Sequence, residues 1–398
     1  MAERPFPGTR AESLARLEAF LPRAGRAYAA RRNLDEGPGL RTHVSGLSPA
    51  IRRRLVTEEE VARAATAVHG LAGAGKFIEE VCWRSFWRGH LEQRPALWRR
   101  YLAQVEADEA RLAREPGLAD AHAQALAART GIDCFDAWVG ELAETGYLHN
   151  HARMSFASIW IFTLRLPWAL GAAHFFRHLL DGCPASNTLS WRWVAGLQTV
   201  GKTYLANPET IRRVSLGRFR VGAPLARAAS PLPAEPPAPL VPLPRLAPPD
   251  PALPAGLWIT TEDLSPETMA NLPPVAAVAA ADSIGGDPAG LKRAYAEAGL
   301  EDACRRAAAH FAAPVARLPE AHLVDALVDW AERHRLRQVV TPYAPVGPVA
   351  DRVDRAAQAL ARAGVALLRV MRGWDRAVWP HATRGFFAFR PCIAEQLA

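Results

Sequence analysis

The chain has 398 residues, 49% hydrophobic and 22% charged, which is apolar material for two ordinary buried cores and excludes a disordered chain. Its formal net charge of +8 and pI near 9.6 suit a polyanionic partner such as nucleic acid without requiring one. Cys82, Cys134, Cys183, Cys304 and Cys392 are odd in number and hold no Cys-x-x-Cys pair, which argues against a disulfide framework or a zinc ribbon and fits a reducing cytoplasm.

The opening MAERPFPGTRAESLARLEAF carries acids and prolines where a secretory leader needs an apolar run. From 11 to about 213 the pattern is helical. AESLARLEAFL, EEEVARAATAVHGL, KFIEEVCWRSFWRGHL, FDAWVGELAETG and AAHFFRHLLDG each place apolar residues at three- and four-residue spacing, and several close on Gly. An all-α domain is therefore expected over 1–222. Its most apolar window, MSFASIWIFTLRLPWALGAA, holds Arg165 and Pro167 near its centre and predicts a buried helix pair, not a membrane span.

Over 223–256 proline recurs every few residues and no periodic face can be drawn, so this is a linker with a preference for polyproline II. Beyond it, GLWITT, VAAVAAA, RQVVTPY and VALLRVM read as short buried strands. The runs GLKRAYAEAGLEDACRRAAAHF, AHLVDALVDWAERHR and VADRVDRAAQALARAG between them read as helices. The expected fold is thus two-domain: an all-α domain, then a Rossmann-like parallel α/β domain over 257–398. No Gly-x-Gly-x-x-Gly follows its first strand, and a monomer is expected.

Three local motifs are set aside. GLAGAGK at 70–76 opens like a phosphate-binding loop, but Phe77 stands where a magnesium-binding hydroxyl belongs and a helical run precedes it, so a Gly-rich interhelical turn is expected. His174 and His178 lie one helical turn apart, but Phe175 replaces the Glu of a zinc hydrolase, so no metal site is expected. The tripeptide HNH at 149–151 is contiguous, unlike a nuclease site of that name.

Four segments resemble the flavin domain of the photolyase and cryptochrome family. GLRTHVSGLSPAIRRRL is similar to the turn that holds the FAD diphosphate, with Ser45, Gly46, Leu47 and Ser48 in it. Such a turn is also an amide nest opening a helix, which suits phosphate on physical grounds, while a plain Ser cap before Pro49 explains Ser48 as well. AYAARRN points to Tyr28 at the flavin phosphates and Arg32 at DNA. FIEEVCWRSFWR resembles the family's Glu-x-x-Trp-Arg helix, giving Glu80 and Trp83 to the lesion and Arg84 to the flavin; Ser85 and Trp87 depart from that pattern. RTGIDCFDAWVGELAETGYLHNHARM is the most specific match and carries Asn150 to the lesion and Arg153 to the flavin, paired with Asp181.

In DGCPASNTLSWRW the resemblance wraps Asp181, Gly182 and Cys183 round the isoalloxazine and puts Asn187 beside flavin N5. Trp191 would receive electrons relayed inward from Trp168, and Trp193 would be a wall on which a flipped base stacks. Cys183 stands where relatives often keep an Asp, and Trp138, Trp160 and Trp98 are candidates for the outermost electron donor. The later strands and RGWDRAVWPHATRGFFAFRPCI resemble the family's antenna-type domain, which normally comes first; here the order is swapped, and the antenna chromophore is left open.

The implied function is blue-light repair of UV-damaged DNA. Reduced FAD would donate an electron to a cyclobutane pyrimidine dimer flipped into the cavity, with Glu80 steadying the developing charge. The alternative is a cryptochrome-like photoreceptor without repair. The lesion residues Glu80, Trp83, Asn150 and Trp193 favour repair, and Asn150–His151 disfavours six-four photoproducts.

Overall fold

The first helix starts where the sequence sets a start signal. Thr9 caps α1 (Arg10–Phe20) through its hydroxyl, and Glu12 reaches back to the Thr9 N–H. The computed structural model describes residues 6–270, 272–281 and 288–398. After α2 (Arg26–Arg31) and the short α3 (Ser48–Arg52) comes a second capping box, Thr57 with Glu60, which opens α4 (Glu58–Glu92). Gly70, at φ 67°, breaks α4 in two. The GLAGAGK stretch is therefore not a turn: apart from Gly70 it is the first part of the second helical segment, because nothing after that glycine interrupts the helical hydrogen bonds.

The helical part continues through α5 (Ala96–Leu112), α6 (Pro116–Leu126), α7 (Asp133–Thr145), α8 (Asn150–Ser158), α9 (Trp168–His178), α10 (Pro184–Val194) and α11 (Pro208–Val214). Gly146 ends α7 in the left-handed region at φ 64°, and a Cβ there would lie 2.7 Å from Leu180. The apolar window predicted as a helix pair is α8 and α9. They are joined by a π-helical turn, Ile159–Thr163, and by Arg165 at φ 56°. Among the described residues no helix is long and apolar enough to cross a membrane.

The second part is a parallel sheet. Strands β1 (Ala255–Ile259), β2 (Val275–Ala280), β3 (Val315–Arg317), β4 (Gln338–Pro342) and β5 (Ala366–Val370) pair in the order β3-β2-β1-β4-β5. Helix α12 (Gly290–Phe311) joins β2 to β3, α13 (Leu323–Arg333) precedes β4, and α14 (Pro348–Arg362) precedes β5. Alternate residues of β1 enter two cores. Leu257 and Ile259 pack with α12 and the helical half, whereas Trp258 packs with α13 and α14.

Two chain segments cross from one half to the other. The proline-rich segment carries no helix or strand from 223 to 254 and is tied along its course. Ala226 N–H donates to Thr163, Leu232 N–H to Ala195 O, Val241 N–H to Gln93 O and Asp250 N–H to Gln338. The closing segment, α15 (Gly373–Val378) and α16 (Phe386–Leu397), leaves the sheet and packs on α4. Phe386 and Phe389 join the same core as Phe86 and Val81.

Candidate functional site

A cavity of about 570 Å³ opens between the 44–48 turn, α4, α8 and α10, within the range of roughly 300–1,000 Å³ typical of organic cofactor sites. All the site residues expected from sequence line it except two. Leu47 is fully buried in the core, with its N–H directed to Ser45 Oγ, so neither its side chain nor that amide faces the cavity. Trp168 is buried behind the wall, with Tyr101 as its ring neighbour at 5.9 Å and the Arg192 guanidinium over it at 5.9 Å.

At one end of the cavity the chain turns at Gly46, φ 66°, where a Cβ would stand 2.7 Å from the Arg16 guanidinium. Arg16 Nε holds that turn by donating to Ser45 O at 3.0 Å. Beside that turn, Arg153 grips Asp181 with two parallel hydrogen bonds of 3.0 Å, and its Nε donates to Leu148 O at 2.8 Å. Burial alone would raise the Asp181 carboxyl, but Arg153 and Arg84, with a hydrogen bond from Ser48, outweigh it and hold the pKa below the ordinary value. Arg84 lines the same wall with one long contact, 3.5 Å to Asp181 O, and desolvation lowers its pKa. A guanidinium so placed suits an anionic guest.

Asn187 donates Nδ2 to Ala172 O at 2.8 Å, which leaves Oδ1 as its group for the cavity. Trp191 is buried edge-on to Phe175 at 5.1 Å, Phe156 at 6.4 Å and Trp160 at 6.4 Å. The indole in contact with Trp191 is therefore Trp160. Cys183 is buried in the lining. Burial would raise its thiol, but Arg52, Arg88 and Arg84 draw the pKa down to about 7.

The rim carries Glu80, ion-paired with Arg32 at 2.9 Å and with Lys76 at 3.1 Å. Trp83 stacks on Phe386 at 3.9 Å, and Trp193, 37% exposed, stacks on Tyr204 at 5.9 Å. Sequence reasoning passed over Tyr147, whose ring lies beneath Arg153 at 5.2 Å and Arg41 at 4.7 Å. It stands in the TGYLHN part of the segment RTGIDCFDAWVGELAETGYLHNHARM, which was the available signal. His174 and His178 have ring centroids 4.5 Å apart, and among the described residues no group of three metal-ligating side chains forms.

Behind the cavity lies a buried charge network from the sheet's carboxyl edge. Arg52 donates to Gly182 O at 3.1 Å and makes two bonds of 2.6 Å to Glu262, just after β1. Arg54 meets Asp263 and Asp375, and Arg88 meets Glu58. Lys292 of α12 donates to Phe176 O.

Residues 77–215 match the family described as the FAD binding domain of DNA photolyase. The chain is 37% identical over 161 residues to a deoxyribodipyrimidine photo-lyase of Streptomyces griseus, covering 39% of this chain and 32% of that protein. It is 34% identical over 198 residues to one from Thermus thermophilus, covering 48% and 44%, and 28% identical over 209 residues to one from Escherichia coli, covering 52% and 43%. It thus spans less than half the length of each of these relatives. Among solved structures, a bacterial class III photolyase from Agrobacterium tumefaciens aligns with TM-score 0.43 and 25% identity, covering 52% of this chain and 42% of that one.

Proposed function

We propose, from the premise that the helical half of this chain belongs to the photolyase and cryptochrome family, that the protein binds FAD and repairs cyclobutane pyrimidine dimers in UV-damaged DNA under blue light. The observation that carries this reading is convergence: segments around Tyr28, Ser45, Glu80, Asn150 and Asn187, remote in sequence, meet in one cavity. In this reading residues 1–222 hold cofactor and lesion, 223–256 connect, and 257–398 support them.

The residues present fit the cofactor. The Gly46 turn with Ser45 and Ser48 would take the diphosphate, Tyr28 would flank it, and Arg84 with the Arg153–Asp181 pair and Gly182 would hold the ring. Bound FAD supplies a photoexcited electron. With Nδ2 donating to Ala172 O, Asn187 Oδ1 would be free to accept a hydrogen bond from a protonated ring nitrogen without adding charge. Trp191 is the inner donor, with Trp168 and Trp160 as candidates behind it.

Trp83 and Trp193 would stack on the flipped bases, returning roughly 1–3 kcal/mol per base against the cost of extrusion, with Asn150 on the same side. Arg32 and Lys76 pair with Glu80 on the rim, and Arg32 can turn to phosphate once a lesion engages Glu80.

The test is an absorption spectrum of the purified protein, followed by irradiation with dimer-containing DNA. Bound FAD with dimer loss only in the light supports repair. Bound FAD without repair moves the protein to the photoreceptors, and a preparation that takes up no FAD ends the reading.

A further inference from the structure

Among the described residues the most exposed large apolar side chain is Phe387, at 80%. It stands in the first turn of α16, with exposed Arg390 one turn on along the same helix face and exposed Arg384 in the bend just before the helix. An exposed aromatic ring with a cation on either side in sequence suits a partner that offers both a π-face and negative charge.

Two independent chains of side chains run from this face to the cavity. One is aromatic: Phe387 lies 6.4 Å from Phe386, and Phe386 stacks at 3.9 Å on Trp83 in the cavity wall. The other is ionic: Arg390 pairs with Glu79, Glu79 with Lys76, Lys76 with Glu80, and Glu80 with Arg32 on the rim.

We infer that Phe387, with Arg384 and Arg390, is a stacking platform for an unpaired base of the strand whose lesion occupies the cavity, and that α16 is therefore a second part of the nucleic-acid surface. The inference rests on the DNA-repair reading above. The occupant follows from continuity with the cavity wall and from charge. A base supplies the π-face, and the adjoining phosphates answer the arginines.

The experiment compares wild type, Phe387→Ser and Phe387→Trp, all changed only at an exposed position. It measures binding to a single-stranded oligonucleotide with one cyclobutane dimer, light-driven repair at saturating DNA, and oligomeric state by light scattering. Phe387→Ser should bind roughly 5- to 100-fold more weakly, Phe387→Trp should bind like wild type, and repair at saturation should be equal in all three. Arg384→Ala with Arg390→Ala should flatten the dependence of log Kd on log salt by about 0.7 for each phosphate that the arginines neutralise in the wild type. Unchanged binding by Phe387→Ser overturns the inference and leaves the repair reading standing. A wild-type dimer that Phe387→Ser dissociates overturns it too, giving the face to a second copy. Wild type that binds no damaged DNA overturns both.

Discussion

The Cα of Gly171 faces the Trp191 indole so closely that a Cβ on it would lie 2.4 Å from the ring. No side chain fits there without moving that tryptophan, and the ring already rests edge-on against Phe175. Gly171→Ala should therefore cost about 1–3 kcal/mol of stability through overpacking and tilt Trp191 from its place in the cavity wall. Denaturant midpoints and near-UV circular dichroism would report both. An unchanged tryptophan signal would show that α9 yields in place of the ring.

Glu80 gives a test that separates cofactor from lesion. Its ion pairs with Arg32 and Lys76 are partly exposed, so Glu80→Ala should change stability by less than about 1 kcal/mol. Under the repair reading, dimer binding and the quantum yield of repair should fall several-fold, as expected for a missing hydrogen bond to a charged group, typically about 1.5–3 kcal/mol. The flavin spectrum should not change. Equal repair by variant and wild type would remove Glu80 from the lesion site.

Cys183 should react unlike the other cysteines. Burial raises the thiols of Cys82, Cys134, Cys304 and Cys392, whereas three arginines bring Cys183 to about 7. In FAD-free protein, a small alkylating reagent able to enter the cavity should label Cys183 first, at a rate rising through pH 7, and added FAD should protect it. Mass spectrometry of the labelled peptides checks the order.

Glu92 introduces a pH dependence at the contact between the halves. Its carboxylate accepts from Tyr343 OH at 2.7 Å and from Val346 N–H, yet burial outweighs both and raises its pKa from 4.5 to about 7. Between those values the folded protein holds a proton that the unfolded chain has released, so stability falls as pH rises through this window, by an amount of the order of 3 kcal/mol. Glu92→Gln keeps a neutral partner for both groups and should flatten the slope. Urea midpoints at pH 5 and pH 8 measure it.

Much of the fold was legible because it is written locally. The short, mostly apolar runs declare strands, and β1, β2, β4 and β5 fall within the predicted runs or within a residue of them, with β1 and β4 buried throughout. The short edge strand Val315–Arg317 has too few residues to show a period. The cavity was legible as motifs. What lay outside them depends on tertiary approach: that Gly171 clears the Trp191 ring, that Leu47 turns into the core, and that Phe386 crosses from the far end of the chain to back Trp83. The run Arg52-Arg53-Arg54 shows the same limit. Its charges look fit for solvent, yet all three side chains are buried, because carboxylates remote in sequence come to Arg52 and Arg54.

Arg52 divides its donors between Gly182 O, in the loop beneath the cavity, and Glu262, in the loop that leaves the sheet. The loop expected to face the cofactor is thereby moored to the other half of the molecule. Cutting the gene between the halves would not yield two working parts, because the helical product would keep Arg52 and Arg54 without the counter-ions Glu262, Asp263 and Asp375. Recombination could change which half is translated first, so long as both travel together. The shared ion pairs constrain inheritance more tightly than the order of the two halves does.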